Sequence, residues 1–248
     1  MSQLAVQARQ FADELTATID GVVVGNSQPF DASLVAGGVG VTVRQEPGTG
    51  IPLSVDGDTT MSLRVHYRCA LDSSEKFLRV EKSTFALHYG AEADGPPIFR
   101  YDYDRDMPHP LPRAHLQVDE GATSDISGLF SLAGSGTSRA RRVRKRWERD
   151  DSHGRQGDLH FPLGGDRFRP SVEDVLEILV DAFGVDCERG WRSVLRRGRV
   201  RWRRIQLMAA IRDNAQVAAE VLESEFGYKV IPPAGGHPAS KDENLRRL

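Results

Sequence analysis

The chain has 248 residues, of which 39% are hydrophobic and 27% charged, a composition that excludes wholesale disorder and allows a substantial core. No apolar run approaches the roughly 18 residues of a membrane span, and the first residues lack the order of a signal peptide, so we expect a cytoplasmic protein without a membrane partner. Cys69 and Cys187 stand far apart and have no histidine at metal-ligand spacing, which argues against a disulfide framework and a zinc site.

The net charge of −2 conceals a division along the chain. Residues 1–137 carry 10 Lys and Arg against 18 Asp and Glu, whereas residues 138–248 carry 23 against 17. The first part is therefore acidic and the second basic. This polarity suits a polyanionic ligand bound by the second part, and it equally suits attraction between the two parts.

The amino-terminal region predicts one helix followed by an antiparallel meander. Residues 3–19 place Leu4, Ala8, Phe11, Leu15 and Ile19 at spacings of three and four, which is typical of an amphipathic helix. Short alternating segments separated by Gly, Pro and Asp then predict strands at 22–24, 40–44, 51–55, 61–71, 77–81, 84–89 and 97–104.

The segment 61–71 shows the clearest alternation. Met61, Leu63, Val65, Tyr67, Cys69 and Leu71 share one side of a strand, and Arg64, His66 and Arg68 share the other. The sheet is therefore predicted to have one buried face and one polar face.

The second part of the chain predicts helices. Residues 121–157 are rich in Gly, Ser and then Arg without any period, and we predict a flexible basic loop or insertion there. A last strand at 158–163 follows. Ser171 and Asp174 then form a capping box for a helix that Gly184 ends.

Two more helices complete the predicted fold. One begins at about residue 188 and has a break at Gly198, and Asn214 caps another that ends before Gly227. We predict an α+β fold in which residues 1–120 form the amino-terminal helix and an antiparallel β-meander with one buried face. Residues 158–231 belong to the same domain and pack their carboxy-terminal helices on the sheet, while residues 232–248 form a tail.

The stretch from Phe99 to Val118 concentrates the acid and base side chains. Alternation directs Asp102, His115 and His160 to the polar face, where neighbouring strands would bring them together, with His109 and Arg113 on the loop beside them. One histidine would accept a proton from an attacking hydroxyl and another would protonate the leaving oxygen of a phosphodiester. Asp102 would orient an imidazole and Arg113 would stabilise the developing charge.

Two alternatives apply to the same residues. An ordinary solvated sheet face beside a Pro-containing turn needs no function. Asp102, His115 and His160 also have the donor types of a metal site, but none of the short spacings that identify one, so we expect no metal. No Gly-rich phosphate motif follows a strand, and we therefore expect no cofactor.

Two basic runs predict contact with a polyanion. Residues 139–149 hold seven basic residues around Trp147, and such a run can fold on a phosphate backbone or remain a solvated linker. The candidate nucleic-acid contacts are Arg141, Arg142, Arg144, Lys145 and Arg146. Residues 189–204 hold eight arginines, which serve either a polyanion or the acidic first part of the chain.

Arg100, Tyr101, Asp102, His109 and His115 follow the order of an Arg-Tyr-Asp strand, a Pro/His loop and a strand led by His. This order resembles a group of small toxins from bacterial toxin–antitoxin modules. The resemblance implies an RNA-directed toxin with an antitoxin-like protein partner.

Together these patterns predict a protein that engages RNA or DNA and acts as a His-dependent, metal-independent ribonuclease-type toxin. The alternative is a non-catalytic interaction or oligomeric module with an acidic sheet and basic helices.

Overall fold

The computed structural model describes residues 2–25, 28–35, 37, 40–72, 74–107, 113–118, 137–138, 141, 145 and 169–241. These residues form two compact units, Met1–Gly198 and Arg199–Leu248. The helices are α1 (Gln3–Asp20), α2 (Val172–Phe183), α3 (Trp191–Asp213) and α4 (Ala215–Phe226). The strands are β1 (Phe30–Leu34), β2 (Val41–Gln45), β3 (Ile51–Val55), β4 (Asp58–Leu71), β5 (Leu78–Tyr89), β6 (Phe99–Asp104) and β7 (Ala114–Val118). The predicted α+β class is confirmed.

The seven strands of the described residues belong to one antiparallel sheet. Its order is β1-β2-β4-β5-β6-β7, and β3 pairs with β4 outside this path. The long strands β4 and β5 form the central ladder, which runs from the pair Met61 and Tyr89 to the pair Leu71 and Leu78. Strand β2 therefore lies next to β4 although β3 intervenes in the chain.

The buried face of the sheet packs against α1. Tyr67 of β4 contacts Phe11 of α1 edge-to-face at 4.9 Å between ring centroids and Phe85 of β5 at 5.5 Å. The predicted alternation in β4 is confirmed, because the alternate residues from Met61 to Cys69 are buried and, between them, only Ser62 is buried as well. An aromatic cluster of this kind contributes both its buried area and its ring geometry to stability.

Helix α2 is buried on nearly every side, as expected of a helix that is apolar all round. The predicted capping box is present: the backbone N–H of Ser171 donates to Oδ2 of Asp174 at 3.0 Å, and its hydroxyl donates to the same atom at 3.1 Å. Gly184 ends the helix in the left-handed conformation, with φ of 74°. The chain beyond it forms isolated bridges to Val55 and Val23.

Three sequence-based expectations were wrong, and one strand, β1, was not predicted. Residues 22–24 form no strand, because Val23 makes only one bridge, to Cys187. Strand β1 has a burial pattern too irregular to be recognised. Segments 77–81 and 84–89 are one strand, β5, whose ladder continues through an irregularity beside Arg68 and Cys69. Gly198 does not break α3, which is continuous across it.

Two of the predicted segments lie partly or wholly outside the described residues. The strand at 158–163 lies outside the described residues, as does most of 121–157. Ser138, Arg141 and Lys145 are helical, and Thr137 donates its hydroxyl to the carbonyl of Asp181 at 2.9 Å.

Gly198 permits a close contact between α3 and the amino-terminal turn of α2. A Cβ atom at this position would lie 2.9 Å from Cγ and from Cδ of Glu173, and closer still to its carboxylate. Gly198 and Glu173 are both buried, so the carboxylate has little room to withdraw. Glycine is needed at position 198 because the contact with Glu173 leaves no room for a side chain. The helix does not change direction there.

We expect Gly198→Ala to lower the free energy of unfolding by about 1–2 kcal/mol, although alanine is the better helix former by about 1 kcal/mol, because the new methyl group overpacks the contact. Denaturant unfolding measures this. Gly95→Ala is the matched control, since nothing lies within 4 Å of a Cβ atom there. Adding Glu173→Ala should recover part of the loss, and a purely additive double variant would contradict the explanation.

Candidate functional site

The polar face of the sheet consists of the side chains of β2 and β4–β7 that alternate with the buried ones. They are Thr42, Arg44, Ser62, Arg64, His66, Arg68, Lys82, Thr84, Ala86, His88, Arg100, Asp102, Asp104, His115 and Gln117. Alternation in each strand separates this set from Tyr67, Phe85 and Tyr101 on the buried face. Cross-strand pairing then determines which polar side chains are neighbours.

One row of this face crosses five strands. Arg44 pairs with His66, His66 with Thr84, Thr84 with Asp102, and Asp102 with His115. At roughly 4.8 Å between strands, the row spans about 19 Å. The polar face is thus an extended surface.

Asp102 is the one carboxylate of this row. Its Oδ1 accepts a hydrogen bond from the Thr84 hydroxyl at 2.8 Å, and its Oδ2 lies 2.8 Å from Nε of Arg100. The same Oδ2 faces Nε2 of His115 at 3.9 Å. Arg100 also donates to Oε1 of Gln117 from Nη2, at 2.7 Å. These contacts hold the carboxylate in position and leave its second oxygen facing the imidazole.

Positive charge predominates on the polar face. Its strands present five cationic side chains, Arg44, Arg64, Arg68, Lys82 and Arg100, against the carboxylates of Asp102 and Asp104. At the β2 edge, Arg44 also forms an ion pair with Glu46 at 2.6 Å and lies opposite Asp31 of β1. This face therefore has a small cationic excess, whereas the composition predicts an acidic sheet. Many carboxylates of the first part lie instead in α1 and in turns, for example Asp13, Asp56 and Asp94.

The second carboxylate, Asp104, is paired with Lys82. The Lys82 ammonium lies 2.6 Å from Oδ2 of Asp104. Partial burial opposes ionisation of this group, but the Lys82 hydrogen bond, the N–H of Asp106 and the charges of Lys82 and Arg68 outweigh it and lower the pKa of Asp104. Asp104 thus stays ionised and compensates Lys82, as Glu46 compensates Arg44 and Asp102 compensates Arg100.

The structure brings some of the predicted site residues together. Asp102 and His115 are a cross-strand pair, and the carbonyl of Arg113, at the entrance to β7, accepts from the N–H of Asp104 at 2.9 Å. His109 and His160 lie outside the described residues. Of the basic run, Arg141 and Lys145 are exposed and helical, and Arg142, Arg144 and Arg146 are not described.

His66 is a member of the row that sequence reasoning had assigned to an ordinary surface. Burial and the neighbouring charge of Arg44 lower its pKa. Strands β4 and β7 are three spacings apart, so His66 and His115 are separated by about 14 Å, too far for both to act on one phosphate. The alternation in β4 indicated that His66 points to the polar face. Its neighbours in the row follow from the order of the strands in the sheet, which the sequence does not show.

Neither a metal site nor a reactive thiol emerges from the described part of the chain. The residues described there contain no group of three or more His, Cys, Asp or Glu side chains that could hold a metal ion. Cys69 and Cys187 are free thiols. Burial raises the pKa of Cys69 to about 12, so this thiol is inert at neutral pH.

His88 lies under a loop that covers one end of the polar face. Its ring is buried beside Ser62, its cross-strand partner, and Nδ1 donates to the carbonyl of Gly95 at 2.9 Å. Arg64 reaches the same loop through the carbonyl of Ala93. Burial lowers the pKa of His88; the hydrogen bond to Gly95 and the charge of Asp94 oppose the shift, and Arg64 adds to it.

No protein-family model, curated protein or solved structure matches this chain. In the part of the chain that the structure describes, no helix has the length and apolar character needed to span a membrane. The function must therefore be argued from the geometry of the polar face.

We expect the folded protein to lose stability as the pH falls below about 6.5. The unfolded chain binds a proton at His88 there, while the buried ring in the folded chain resists protonation, and His66 acts in the same direction. His88→Asn keeps an N–H donor for Gly95 and removes the titration, so it should flatten the curve of unfolding free energy between pH 7 and 5. Equal curves for the parent protein and His88→Asn would contradict this.

Proposed function

We propose that this protein binds single-stranded RNA on the polar face of its sheet. The observation that carries the proposal is the excess of cationic side chains, which are distributed over β2, β4, β5 and β6 instead of converging on one point. A small phosphate ligand would need converging donors. An extended polyanion can contact Arg44, Arg68 and Arg100 in succession, from β2 to β6, across about 14 Å of the sheet.

The chemistry of the face favours contacts to the sugar–phosphate backbone. The fifteen polar-face side chains include no Phe, Tyr or Trp, since the strand aromatics belong to the buried face. Base stacking therefore contributes little, and binding should depend weakly on base sequence. A single strand is favoured over a duplex because its flexible backbone can follow the twisted sheet and bring successive phosphates to cations that are distributed over four strands.

Cleavage of the bound RNA is a second candidate function, favoured by the pairing of Asp102 with His115. His115 would accept the proton of a ribose 2′-hydroxyl as its oxygen attacks the adjacent phosphorus, and the departing 5′ oxygen would take a proton from water. The carboxylate of Asp102 would stabilise the resulting imidazolium, and nearby cationic side chains would offset the charge on phosphorus. The toxin resemblance points to the same substrate class.

We expect the binding constant for a labelled single-stranded RNA to fall steeply with salt, and Arg68→Ala to reduce the slope of log K against log salt by about 0.7, the value for one phosphate contact on a single strand. Fluorescence anisotropy at several salt concentrations measures both. Arg68 is exposed, so its replacement should leave folding intact. Arg9→Ala, an exposed arginine of α1, is the matched control.

Two results would contradict the binding proposal. One is the absence of binding at low salt, which would favour the non-catalytic interaction role. The other is an equal loss for Arg9→Ala and Arg68→Ala, which would indicate general electrostatic attraction without a defined face. Stronger binding of duplex DNA than of single-stranded RNA would contradict the choice of ligand.

For cleavage, we expect His115→Ala to lower the rate at least about 100-fold, and Asp102→Asn to lower it less, while both variants still bind RNA. A 2′-deoxy substitution at the cleaved position should block the reaction in the parent protein, because it removes the attacking hydroxyl. The measurement is the cleavage of end-labelled RNA. Full activity in His115→Ala would exclude this histidine as the base, without affecting the binding proposal.

A further inference from the structure

The second unit has its apolar side chains on the outside. In α3 from Arg199 onward, the half-buried residues are Arg199, Trp202, Gln206, Ala210 and Asp213, which recur at spacings of three and four. Most of this covered side is polar. The exposed side carries Val200, Leu207 and Ile211, which are 58%, 52% and 45% accessible, with Ile205 and Met208 next to them.

Helix α4 shows the same property. Val217 and Val221 are one turn apart and exposed, as are Leu222 and Phe226, the latter 68% accessible. Ala219 is the one buried apolar residue between Arg199 and Lys241, all of which are described. A unit of this size without a core of its own is not expected to be stable in water. Another molecule should therefore cover its apolar surface.

The amount of apolar surface fits an interface of ordinary size. Eleven large apolar side chains between Val200 and Ile231 are exposed. At about 100 Å² for a whole side chain, of which roughly half is accessible, they present at most on the order of 500 Å² to one partner, because Val217 and Phe226 lie about 180° apart around α4. A standard interface buries about 800 Å² on each partner, of which about 60% is apolar.

The charges indicate what covers this surface. From Arg199 to its end, α3 carries five arginines and one aspartate, whereas α4 carries three glutamates and no cation. The surface is therefore complementary to itself: a two-fold axis can set the basic α3 of one copy against the acidic α4 of another, and the reverse. An anionic membrane or a nucleic acid would attract α3 but would be repelled by α4.

We propose that α3 from Arg199 onward and α4 form a dimer interface whose occupant is a second copy of this chain. The apolar side chains supply the contact, and the opposite charges of α3 and α4 determine its two-fold arrangement. This proposal is independent of RNA binding, since it involves none of the polar-face residues.

The first test is the mass of the full-length chain by light scattering coupled to size exclusion, from about 1 to 100 µM. We expect twice the 27.4 kDa of one chain. Leu207→Glu with Ile211→Glu should raise the dissociation constant at least about 100-fold and give monomers with an unchanged circular dichroism spectrum, since both residues are exposed. Val6→Glu, at 48% exposure on α1, is the matched control and should remain dimeric.

The second test concerns the charges. Arg203→Glu with Arg204→Glu, and separately Glu220→Lys with Glu225→Lys, should each weaken the dimer at least about tenfold by placing like charges together. A mixture of the two variants should restore association to near the parent level, because α3 of each then faces an opposite charge on α4 of the other. The weakening of each variant alone together with the rescue of the mixture identifies the contact between α3 and α4, because a contact of α3 with α3 would not be weakened in either variant alone.

Three outcomes would overturn the proposal. A monomeric parent chain at 100 µM would exclude the dimer. A dimer unaffected by Leu207→Glu with Ile211→Glu would place the interface elsewhere, and a mixture without rescue would exclude the pairing of α3 with α4. Binding of a monomeric parent chain to vesicles of anionic lipid, abolished by the Leu207 and Ile211 changes, would assign the surface to a membrane instead.

Discussion

The central ladder between β4 and β5 is the constraint on which the first unit depends. These are the longest strands, and their pairing determines which side chains enter the core and which form the polar face. A shift of register by one residue would turn Arg64, His66 and Arg68 toward α1 and expose Tyr67. The cost of burying three unpaired charged or polar side chains excludes this alternative. The buried aromatic contacts and the cationic surface are therefore two consequences of one register.

The edge of the core near α2 shows how the fold accommodates polar groups without losing its packing. Glu173 and Asp174 occupy the first turn of α2, where the helix dipole favours negative charge, and both are buried. The Arg169 guanidinium lies 4.0 Å from the centre of the Tyr103 ring. Burial and the nearby carboxylates raise the pKa values of Tyr67 and Tyr101, so both phenols stay protonated. Cation, rings and carboxylates thus lie together, which reduces the cost of removing each from water.

The sequence was sufficient where the signal was local. Alternation in β4, the apolar stripe of α1, and the capping residues of α2 and α4 each depend on residues a few positions apart, and all were recognised. The Asp102 and His115 pair was also accessible, because β6 and β7 are consecutive strands and consecutive strands most often pair. Local patterns therefore predicted the class of the fold and the acid–base pair of the candidate site.

The parts that sequence reasoning missed depend on contacts between distant segments. His66 and Arg44 join the row only because β2 lies beside β4, and no local pattern reveals that β3 leaves the path. Gly198 has the usual appearance of a helix breaker, and its role follows from the approach of Glu173, distant in sequence. Composition suggested an acidic sheet because it averages turns and strands, whereas a binding surface depends on which charges share a face.

Helix α3 is continuous, but only its amino-terminal half packs into a hydrophobic core. Trp191, Leu195 and Gly198 are buried in the first unit, so the amino-terminal half of α3 is stabilised by tertiary packing. Beyond Arg199 no large apolar residue of the helix is buried, and its arginines lie too close together to stabilise one another. Helices of this length are marginal in water when tertiary packing is absent. Association of α3 and α4 with a second copy would supply the missing packing, which explains why the chain keeps apolar side chains at positions that otherwise face water.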